Sequence, residues 1–589
     1  MTIFEKIPPG ILGDHQASQV EALGRSLSPG QALWLSGYLA GLHAGALGGD
    51  GAVAEAAPAA GARTLTIIHA GETGNSGRIA TTLGERARAA GLAPMVVAVG
   101  DYKLRNLKAE QDLLLVVATH GEGDPPEPAH EMFELLDGPR APKFDGLRYA
   151  VLALGDSSYE IFCGAGRTLD ERLAALGGTR LAERVECDVD YDDDAAAWSE
   201  TVVGLLAVDV AAPAPATARA AGPVASSAYD KGNPFPATLL EQIPLVAAES
   251  TKDTRHLEFD LAGSGLTYRP GDALGVIVRN SEASVAALLD AAGLTADASV
   301  VLKGGEFALG AALAEKLEIT VVTPRFLAHW GELSGAEELA ALGQPGREAE
   351  RADYLHRHHA VDIIRQHRVA GIDAAGLVGG FRPLQPRLYS LASAQALVGD
   401  EAHLTLAPVR YDLHGEPRVG VGSQRLVDAI RPGGTLPVYI QSNDQFRLPD
   451  DDRPIIMIGA GTGVAPYRAF LQEREASGRG GPAWLMFGER NRKSDFLYQI
   501  EWQQWLAEGT LEHLDVAFSR DGNERFYVQH RLLERADQLR GWVGDGANIY
   551  LCGDAAAMAP DVEAAMSQIL GVEAVKQLRK DKRFQRDVY

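Results

Sequence analysis

The sequence predicts a multidomain fold, with two parallel α/β domains on either side of an antiparallel β-barrel that carries a helical insert. Apolar strands alternate with helical patterns in residues 63–208 and again after residue 453. Strands that are apolar throughout, rather than at alternate positions, are typical of parallel sheets covered on both faces. From about residue 233 the pattern changes to short strands separated by turns, which favours an antiparallel barrel. Helical stretches interrupt this barrel pattern over about 283–380.

Two stretches rich in small residues divide the chain. Residues 45–62 and the Ala/Pro-rich 209–227 show no apolar period and cannot build a core. The earlier stretch "LSPGQALWLSGYLAGL" (27–42) has helical apolar spacing, which suits either a homo-oligomer or partner contact or a docked accessory helix. We therefore predict an oligomerisation or partner segment with its linker at 1–62, a first domain at 63–208, a flexible linker at 209–232, a barrel domain at 233–448 and a last domain at 449–589.

Composition limits the possible partners and the compartment. A net charge of −24 argues against nucleic acid, whose phosphates need a basic face, and fits a basic protein partner. The longest apolar runs, such as "LLLVVAT" (113–119), are far shorter than the roughly 20 residues that span a bilayer. The first residues lack a signal-peptide pattern, so we expect a cytoplasmic protein without a membrane partner. The three cysteines form no CxxC pair, which predicts neither a disulfide framework nor a metal site.

The first domain carries its unusual residues where strands end. Four apolar strands are predicted, at 64–70, 93–100, 112–121 and 148–155. In the strand order 2-1-3-4-5, the loops after the first, third and fourth strands lie beside the switch point where α/β sheets bind ligands.

The first loop, "GETGNS", offers hydroxyls and N–H groups at a helix N-terminus, and it suits a monophosphate because it lacks the lysine of a P-loop. The third loop adds the flat ring of Tyr159, so the loops together predict an FMN site. Its predicted residues are Gly71, Glu72, Thr73, Gly74, Asn75, Ser76, Ala118, Thr119, His120, Gly121, Leu154, Gly155, Asp156, Ser157, Ser158, Tyr159, Glu160, Ile161, Phe162 and Cys163.

The last domain carries a candidate dinucleotide site. "RPIIMIGAGTGVAPYRAF" begins at residue 453 and predicts a strand, a glycine turn and a helix, although Val464 occupies the third glycine position of GxGxxG. Downstream, "FSRDGNERFYVQ" supplies Arg520 and Arg525, which suit a 2′-phosphate where an NAD site would place an acidic residue on the ribose. A solvated basic turn is the alternative. The predicted residues of this site are Gly461, Thr462, Ser519, Arg520, Arg525, Phe526, Tyr527, Val528, Gln529 and Asp561.

These motifs together resemble one family. "GETGNS", "THGEGDPP" and "LGDSSYEIFC" resemble the FMN loops of flavodoxin-like domains in the diflavin reductases. "RLYS" (387–390), followed by "GVGS" (420–423), resembles the FAD-binding pair of the ferredoxin-NADP-reductase family. The resemblance to diflavin reductases covers everything from residue 63 onward. Three positions depart from it: Gly71 replaces the usual Ser or Thr, which removes one phosphate hydroxyl, Ala407 replaces a common Gly, and Val421 lies inside the second FAD motif.

The resemblance implies a flavodoxin-like first domain, an FAD-binding barrel and a ferredoxin-NADP-reductase-like last domain. It implies that Arg387 and Ser423 hold the FAD pyrophosphate and that Tyr389 and Ser390 touch the flavin ring. It also implies that Ser390, Cys552 and Asp587 flank the reactive edge of that ring, while Tyr589 lies flat on it and swings aside for the nicotinamide. The FAD residues implied by the family are Thr323, Arg387, Leu388, Tyr389, Ser390, Thr405, Leu406, Ala407, Tyr411, Gly420, Val421, Gly422, Ser423 and Tyr589.

The same resemblance implies a reaction and a partner. NADPH would give a hydride to FAD, and single electrons would pass through FMN to a haem-containing acceptor. The ending "RDVY" and the local "VQH" resemble the members whose acceptor is a sirohaem and iron–sulfur subunit that reduces sulfite to sulfide. Two alternatives remain open, namely a soluble diflavin reductase for another haem acceptor, such as a cytochrome-type oxygenase, and a flavin-binding scaffold without turnover.

Two charged motifs have simpler interpretations. "HRHH" (356–359) lies in a charged helical pattern without metal-ligand spacing, so we predict a solvated helix face. "DVDYDDD" (188–194) lacks the Glu expected at the twelfth position of a calcium loop. We interpret it as an acidic surface beside the FMN loops, which either docks a partner or is merely solvated.

Overall fold

The structure is a computed structural model that describes residues 63–208 and 227–589. The predicted N-terminal segment, its oligomer or partner contact and most of the second linker (209–226) lie outside the described residues. Thr64–Tyr589 form one compact unit. Within the described ranges, no helix combines the length and the apolar character that crossing a bilayer requires.

The first domain is a parallel sheet between two layers of helices. Its strands are β1 Leu65–Ala70, β2 Pro94–Ala98, β3 Asp112–Ala118, β4 Arg148–Leu154, β5 Thr179–Arg180 and β6 Val185–Cys187. Its helices are α1 Asn75–Ala89, α2 His130–Asp137, α3 Gly164–Ala175 and α4 Asp192–Ala207, with 3₁₀ turns at Val99–Asp101, Leu104–Ala109 and Glu127–Ala129. The strand order is β2-β1-β3-β4-β5, and β6 also pairs with β4. The apolar strands are buried because separate clusters of apolar side chains cover the two faces of the sheet.

The barrel domain is antiparallel and is interrupted by the predicted insert. Its strands, including two hairpins, are β7 Phe235–Pro244, β8 Arg255–Asp260, β9 Ala273–Val276, β10 Ser299–Leu302, β11 Gly305–Ala308, β12 Arg387–Ser390, β13 Glu401–Leu406, β14 Arg410–Leu413, β15 Glu416–Val419 and β16 Thr435–Gln441. Six of them pair in the order β12-β9-β16-β7-β8-β13. A bridge between Leu391 and Leu404 joins the two edges of that sheet, which closes the barrel.

The insert supplies most of the helices of the barrel domain. The helices are α5 Glu282–Ala292, α6 Leu309–Glu315, α7 Pro324–Ser334, α8 Glu337–Leu342, α9 Glu348–His356, α10 Ala360–Gln366, α11 Ala374–Val378, α12 Gln395–Val398 and α13 Val421–Gln424, with a π turn at Arg425–Ala429. The hairpin β10–β11 was not predicted. The prediction of a helix face for "HRHH" is wrong, because α9 ends at His356 and α10 begins at Ala360. His359 instead caps α10.

The last domain is a second parallel sheet. Its strands are β17 Ile455–Ala460, β18 Ala483–Glu489, β19 His513–Phe518, β20 Asn548–Gly553 and β21 Phe584–Val588, in the order β19-β18-β17-β20-β21. Its helices are α14 Ala465–Ser477, α15 Arg492–Asp495, α16 Gln499–Glu508, α17 Val528–Glu534, α18 Ala536–Gly544, α19 Met558–Leu570 and α20 Val572–Lys580, with a 3₁₀ turn at Gly461–Val464. The predicted fold class is therefore confirmed: two parallel α/β domains flank an antiparallel barrel with a helical insert.

Candidate active site

The three loops predicted for FMN meet at the carboxyl ends of β1, β3 and β4. Glu72 Oε2 of the first loop lies 3.2 Å from His120 Nδ1 of the second. Glu122 Oε2 of the second loop accepts a hydrogen bond from Glu160 N of the third at 3.1 Å. Tyr159 exposes 44% of its surface beside them. The fold therefore brings together the residues that the sequence assigns to one site.

The phosphate loop depends on two small residues. Gly74 precedes α1 with a φ of 79°, in the left-handed region that favours glycine, and no side chain caps this helix. The first N–H groups of α1 are therefore available to an anion. A Cβ atom on Gly71 would lie 2.5 Å from Ser76 Oγ and 3.3 Å from Ala118 Cβ. The Ser76 hydroxyl thus occupies the space in which a side chain at position 71 would begin.

The two FAD motifs pack against each other although some thirty positions separate them. A Cβ atom on Gly422 would lie 2.5 Å from Tyr389 Oη and 2.8 Å from Arg387 Cγ, so only glycine allows this approach. Arg387 Nη2 donates to Glu318 Oε2 at 2.8 Å, and Glu318 is only 1% exposed. Burial alone would raise the pKa of Glu318, but Arg387 and hydrogen bonds from Thr320 hold that pKa below its ordinary value. The buried carboxylate therefore stays charged and anchors one side of the guanidinium.

Sequence reasoning missed Glu318, and two of the predicted FAD residues, Thr323 and Ser423, already form hydrogen bonds within the protein. Thr323 caps α7 by accepting a hydrogen bond from Phe326 N, is 2% exposed, and lies apart from the residues that line the cleft. Ser423 Oγ accepts from Val409 N at 3.0 Å and donates to Gly420 O at 3.3 Å, so its hydroxyl hydrogen braces its own loop.

The C-terminal strand carries the residues predicted for catalysis. Asp587 Oδ2 accepts a hydrogen bond from Ser390 Oγ at 2.6 Å and from Cys552 Sγ at 3.8 Å. Asp587 lies directly opposite Cys552 in the pairing of β21 with β20. Burial raises the pKa of Asp587 and raises the pKa of the Cys552 thiol well above its usual range. Next to them, Tyr589 Oη lies 2.9 Å from Thr462 Oγ1, and the residue is 61% exposed.

All three domains line one cleft of about 2220 Å³. It is lined by Thr73 of the phosphate loop, Tyr389 of the barrel and Tyr589 of the last domain, among others. Ligand pockets usually measure about 300–1,000 Å³, so this cleft has room for more than one cofactor. A Cβ atom on Gly74 would lie 4.0 Å from Ser442 O, which places the phosphate loop directly against the barrel domain.

The dinucleotide site is assembled around the turn after β17. A Cβ atom on Gly463 would lie 2.2 Å from Cys552 O, so the turn and β20 approach too closely for any other residue. Arg520 is exposed at the end of β19, and its N–H donates to Arg490 O at 2.8 Å. Gln529 Nε2 donates to Asp561 Oδ2 at 2.9 Å. The other predicted residues of this stretch have varied surroundings: Ser519 and Val528 are buried, Arg525 is exposed, Phe526 contacts a guanidinium and Tyr527 caps α17.

A buried polar cluster joins the barrel to the last domain. Within the described ranges, His256, Glu258 and His403 have ligand atoms within 4.8 Å of one another, as a metal site would require. Hydrogen bonds already hold both rings: His256 lies 2.8 Å from Tyr498 Oη and 3.2 Å from Glu258, and His403 lies 2.8 Å from Glu401. The nearby charge of Arg468 opposes a further cation here.

The acidic stretch 188–194 lies beside the FMN loops, as the sequence predicted. Asp188 Oδ1 accepts a hydrogen bond from Ser157 N of the third loop at 3.0 Å. Asp192 lies 3.6 Å from Lys231, and Asp193 lies 2.7 Å from Lys303 of the barrel domain. Part of this stretch is therefore bound to basic residues of the same chain.

These two contacts belong to a larger set of ion pairs between the first domain and the rest of the chain. In each pair the first domain supplies the acid and the barrel domain, the segment leading into it or the last domain supplies the base. The pairs are Lys231–Asp192, Lys303–Asp193, Arg351–Glu160, Arg382–Asp156, Arg579–Glu127, Lys580–Glu131, Lys582–Asp101 and Arg586–Glu127.

Three families match successive parts of the chain. The flavodoxin family matches residues 67–198, the FAD binding domain family matches 227–424, and the oxidoreductase NAD-binding domain family matches 457–564. With the shared cleft, these matches define a flavin-dependent oxidoreductase that uses a nicotinamide dinucleotide.

Curated relatives specify the family within this class. A sulfite reductase (NADPH) flavoprotein alpha-component from Bacillus subtilis is 43% identical over 595 residues, which cover 98% of both chains. The alpha-component from Vibrio cholerae is 41% identical over 610 residues, covering 100% of this chain and 99% of the relative. The chain belongs to the family of sulfite reductase (NADPH) flavoprotein alpha-components. It is therefore an NADPH-dependent diflavin oxidoreductase with FMN, FAD and NADPH as its cofactors.

Proposed function

We propose that this chain delivers electrons from NADPH to a partner subunit with sirohaem and an iron–sulfur cluster, which reduces sulfite to sulfide. When bound, FAD supplies hydride acceptance and FMN supplies the passage of single electrons, so the protein contributes position and electrostatics. The names of the relatives, sulfite reductase (NADPH) flavoprotein alpha-components, support the sulfite-reducing partner, and the observation that carries the electron transfer is the shared cleft. It is lined by Thr73 of the phosphate loop, Ser390 of the flavin strand and Asp587 and Tyr589 of the C-terminal strand.

The chemistry at the flavin edge would depend on Ser390, Cys552 and Asp587. Asp587 fixes the direction of the Ser390 hydroxyl by accepting its hydrogen bond at 2.6 Å. Because burial raises the pKa of Cys552, the sulfur carries its proton at neutral pH and presents no negative charge to an approaching hydride. Asp587 would thus hold two donors in place at the edge where NADPH reacts.

The remaining site residues would bind and orient the cofactors. Arg387, anchored by Glu318 and by Gln385 O, would offer its remaining N–H groups to the FAD pyrophosphate, which suits the fork geometry of guanidinium. Tyr589 offers a flat ring that can stack on the flavin. Arg520 and Arg525, both exposed, would bind the 2′-phosphate that distinguishes NADPH from NADH.

The charge of the first domain supports a protein acceptor with a basic surface. The acids that meet basic residues of the same chain, such as Asp156, Glu160 and Asp193, lie on or beside the FMN loops. An acceptor that receives electrons from FMN must approach the same region, so its own basic residues would replace the bases of this chain as partners of these acids.

The test mixes the purified protein with candidate haem subunits and follows NADPH oxidation with sulfite. We expect rapid oxidation only with the sirohaem and iron–sulfur subunit. Oxidation that is faster with a cytochrome-type oxygenase would instead favour the alternative acceptor, and flavins that NADPH fails to bleach would identify a scaffold without turnover.

A matched pair of variants tests the docking surface in the same assay. Asp193→Asn and Lys303→Gln remove the same ion pair from opposite sides. If the acidic stretch docks the partner, Asp193→Asn slows delivery and flattens its salt dependence, whereas Lys303→Gln does not slow it. Equal slowing by both variants would show that the pair serves only to pack the first domain.

A further inference from the structure

The hairpin β14–β15 begins and ends beside the second FAD motif. Gly420 N donates to Val409 O at 2.9 Å, which closes the base of the hairpin, and Ser423 Oγ accepts from Val409 N at 3.0 Å. Tyr411 on β14 is 43% exposed and lines the shared cleft together with Arg387. The Tyr411 hydroxyl is therefore presented beside the residues assigned to the FAD pyrophosphate.

The helical insert holds this hairpin at the "HRHH" junction (356–359), where α9 ends and α10 begins. His414, in the turn between β14 and β15, has its Nε2 atom 2.8 Å from Arg357 O. On the strand itself, Tyr411 Oη lies 2.6 Å from His359 Nε2. One histidine of the junction thus contacts a side chain that lines the cleft.

The direction of this hydrogen bond follows from the other partners of His359. His359 and Asp362 form a capping box at the start of α10, in which Asp362 Oδ2 accepts from His359 N at 2.9 Å. In such a box the first side chain accepts from the backbone N–H three residues later, here through Nδ1, since Nε2 faces Tyr411. Burial, with the charge of Arg418, lowers the pKa of His359, so the ring is neutral and carries its proton on Nε2. Tyr411 Oη then accepts that proton's hydrogen bond, and its own hydrogen can be donated to a ligand.

A phosphate group is the ligand that suits this arrangement. Phosphate oxygens accept hydrogen bonds, so Tyr411 can bind one only as a donor. Beyond the larger effect of burial, the charge of Glu318, which anchors Arg387, acts on the pKa of both His359 and Tyr411, so these groups lie within electrostatic reach of one another. We propose that His359 is a positioning residue for FAD: by donating to Tyr411, it fixes the Tyr411 hydroxyl as a donor to the FAD pyrophosphate. This inference rests on the FAD site of the proposed function.

A purely structural histidine is the competing explanation, because His359 also caps α10 and contacts the hairpin. His359→Asn keeps the cap, since Asn is a preferred N-cap residue, but its shorter side chain does not reach Tyr411. His359→Gln keeps an N–H donor at about the reach of Nε2. Arg365→Gln removes a different contact between α10 and the hairpin, in which Arg365 Nη1 donates to Glu416 Oε1 at 2.9 Å.

The experiment measures the dissociation constant of FAD for each purified holoprotein, by dilution, ultrafiltration and chromatography of the released flavins. We expect His359→Asn and Tyr411→Phe each to bind FAD about tenfold more weakly, the loss of one charge-assisted hydrogen bond. The double variant should also lose about tenfold, and not about a hundredfold, because both changes act on the same hydrogen bond. His359→Gln and Arg365→Gln should stay near the native value, and the release of FMN into the same filtrate should match that of the native protein.

Unchanged FAD affinity in Tyr411→Phe or in His359→Asn would overturn the inference, as would losses that multiply in the double variant. An equal loss in Arg365→Gln would assign the effect to anchoring of the hairpin. If His359→Asn does not fold, FAD that is retained by His359→Gln and lost by Tyr411→Phe supports the inference, and equal loss from both overturns it. Failure of the proposed function looks different, because the native protein would then hold FAD normally without serving the sirohaem subunit.

Discussion

Arg520 and Arg525 allow the selectivity for NADPH to be tested at the scale of single residues. Replacing both with Ala removes charge-assisted hydrogen bonds worth roughly 1.5–3 kcal/mol each from the 2′-phosphate. We expect the preference for NADPH over NADH to collapse, chiefly through the KM of NADPH, in steady-state assays with ferricyanide. Lys303→Gln is the matched control, because it removes a lysine that pairs with Asp193 and lies outside the dinucleotide site. An unchanged preference in the double variant would place the 2′-phosphate elsewhere.

Tyr589 allows the shielding of FAD to be tested. Stacking of a flat ring contributes roughly 0.5–1.5 kcal/mol beyond its buried area, which is weak enough for a nicotinamide to displace. We expect Tyr589→Ala to bind nicotinamide more tightly, release NADP⁺ more slowly and use NADH better relative to NADPH. Flavin fluorescence, pre-steady-state reduction and both KM values measure this.

Thr462→Val is the control for Tyr589. It removes the hydroxyl that lies 2.9 Å from Tyr589 Oη and keeps the ring, so it should cause a smaller change in the same direction. If Tyr589→Ala leaves fluorescence, turnover and cofactor preference unaltered, the ring does not shield the flavin.

At the residue scale, a site residue can be predicted from the sequence when it belongs to a motif or to a stretch that resembles a known family. The contact of Ser390 with Asp587 spans 197 positions, and only the family resemblance brought the two residues together. Glu318 was missed because its partner Arg387 lies 69 positions away and Glu318 belongs to no motif. The signal for Glu318 was present nonetheless: a lone carboxylate in the apolar stretch "LEITVV" (317–322) has to find a buried cation.

At the scale of elements, the strands β8 and β13 meet the last domain through the buried histidines. Burial, with the nearby Arg468 and His403, lowers the pKa of His256 to about 2. The ring is therefore neutral in the folded protein, whereas an unfolded histidine titrates near pH 6.5. Between these values the unfolded state binds more protons, so the free energy of unfolding should fall by up to about 1.4 kcal/mol per pH unit as the pH drops below about 6.5.

Thermal unfolding between about pH 7.5 and about pH 5 tests this dependence. We expect the apparent midpoint of the native protein to fall with pH, and His256→Gln to show a shallower fall because its side chain does not titrate. His513→Gln, which changes a partly exposed histidine, should keep the native slope. A slope that His256→Gln leaves unchanged would assign the acid sensitivity to other groups.

The same scale shows why some elements were predicted and others were not. The strands of both parallel sheets were recognised because burial on both faces leaves long apolar runs, as in β3 and β17. The hairpin β10–β11 turns at Gly304 and Gly305, both with positive φ. Its strands have four residues each and lie within a stretch whose sequence pattern is mainly helical, so the hairpin was not predicted. "HRHH" (356–359) lies in a charged helical pattern, but one helix ends at His356 and His359 caps the next helix.

At the scale of the whole molecule, two separate flavin sites predict equal amounts of FMN and FAD in the purified protein. FMN should be lost first on dilution, because Gly71 supplies no hydroxyl to its phosphate. Salt should hasten this loss, since it screens the ion pairs that hold the third FMN loop, through Asp156 and Glu160, against the barrel domain. Flavin released into the filtrate, separated by chromatography, measures both effects, and earlier loss of FAD would contradict the prediction.

A compensated variant sharpens this measurement. Gly71→Ser alone would push its Cβ atom to 2.5 Å from Ser76 Oγ, so we expect it to hold FMN poorly. Gly71→Ser with Ser76→Ala moves a hydroxyl to position 71 without that clash. If the double variant retains FMN no better than Gly71→Ser, steric conflict with Ser76 is not what limits binding.

The one-sided charge of the ion pairs around the first domain also constrains how the protein can change over evolutionary time. Glu160 and Arg351 sit 191 positions apart, so an exchange of their charges requires two distant codons to change together. A chimaera that takes its first domain from one relative and the remainder from another inherits its acids from one parent and its bases from the other. The acids and bases of such a chimaera would pair only where the two parents carry matching residues at these positions. Domain exchange is therefore a direct way to ask whether these pairs have been inherited as a set.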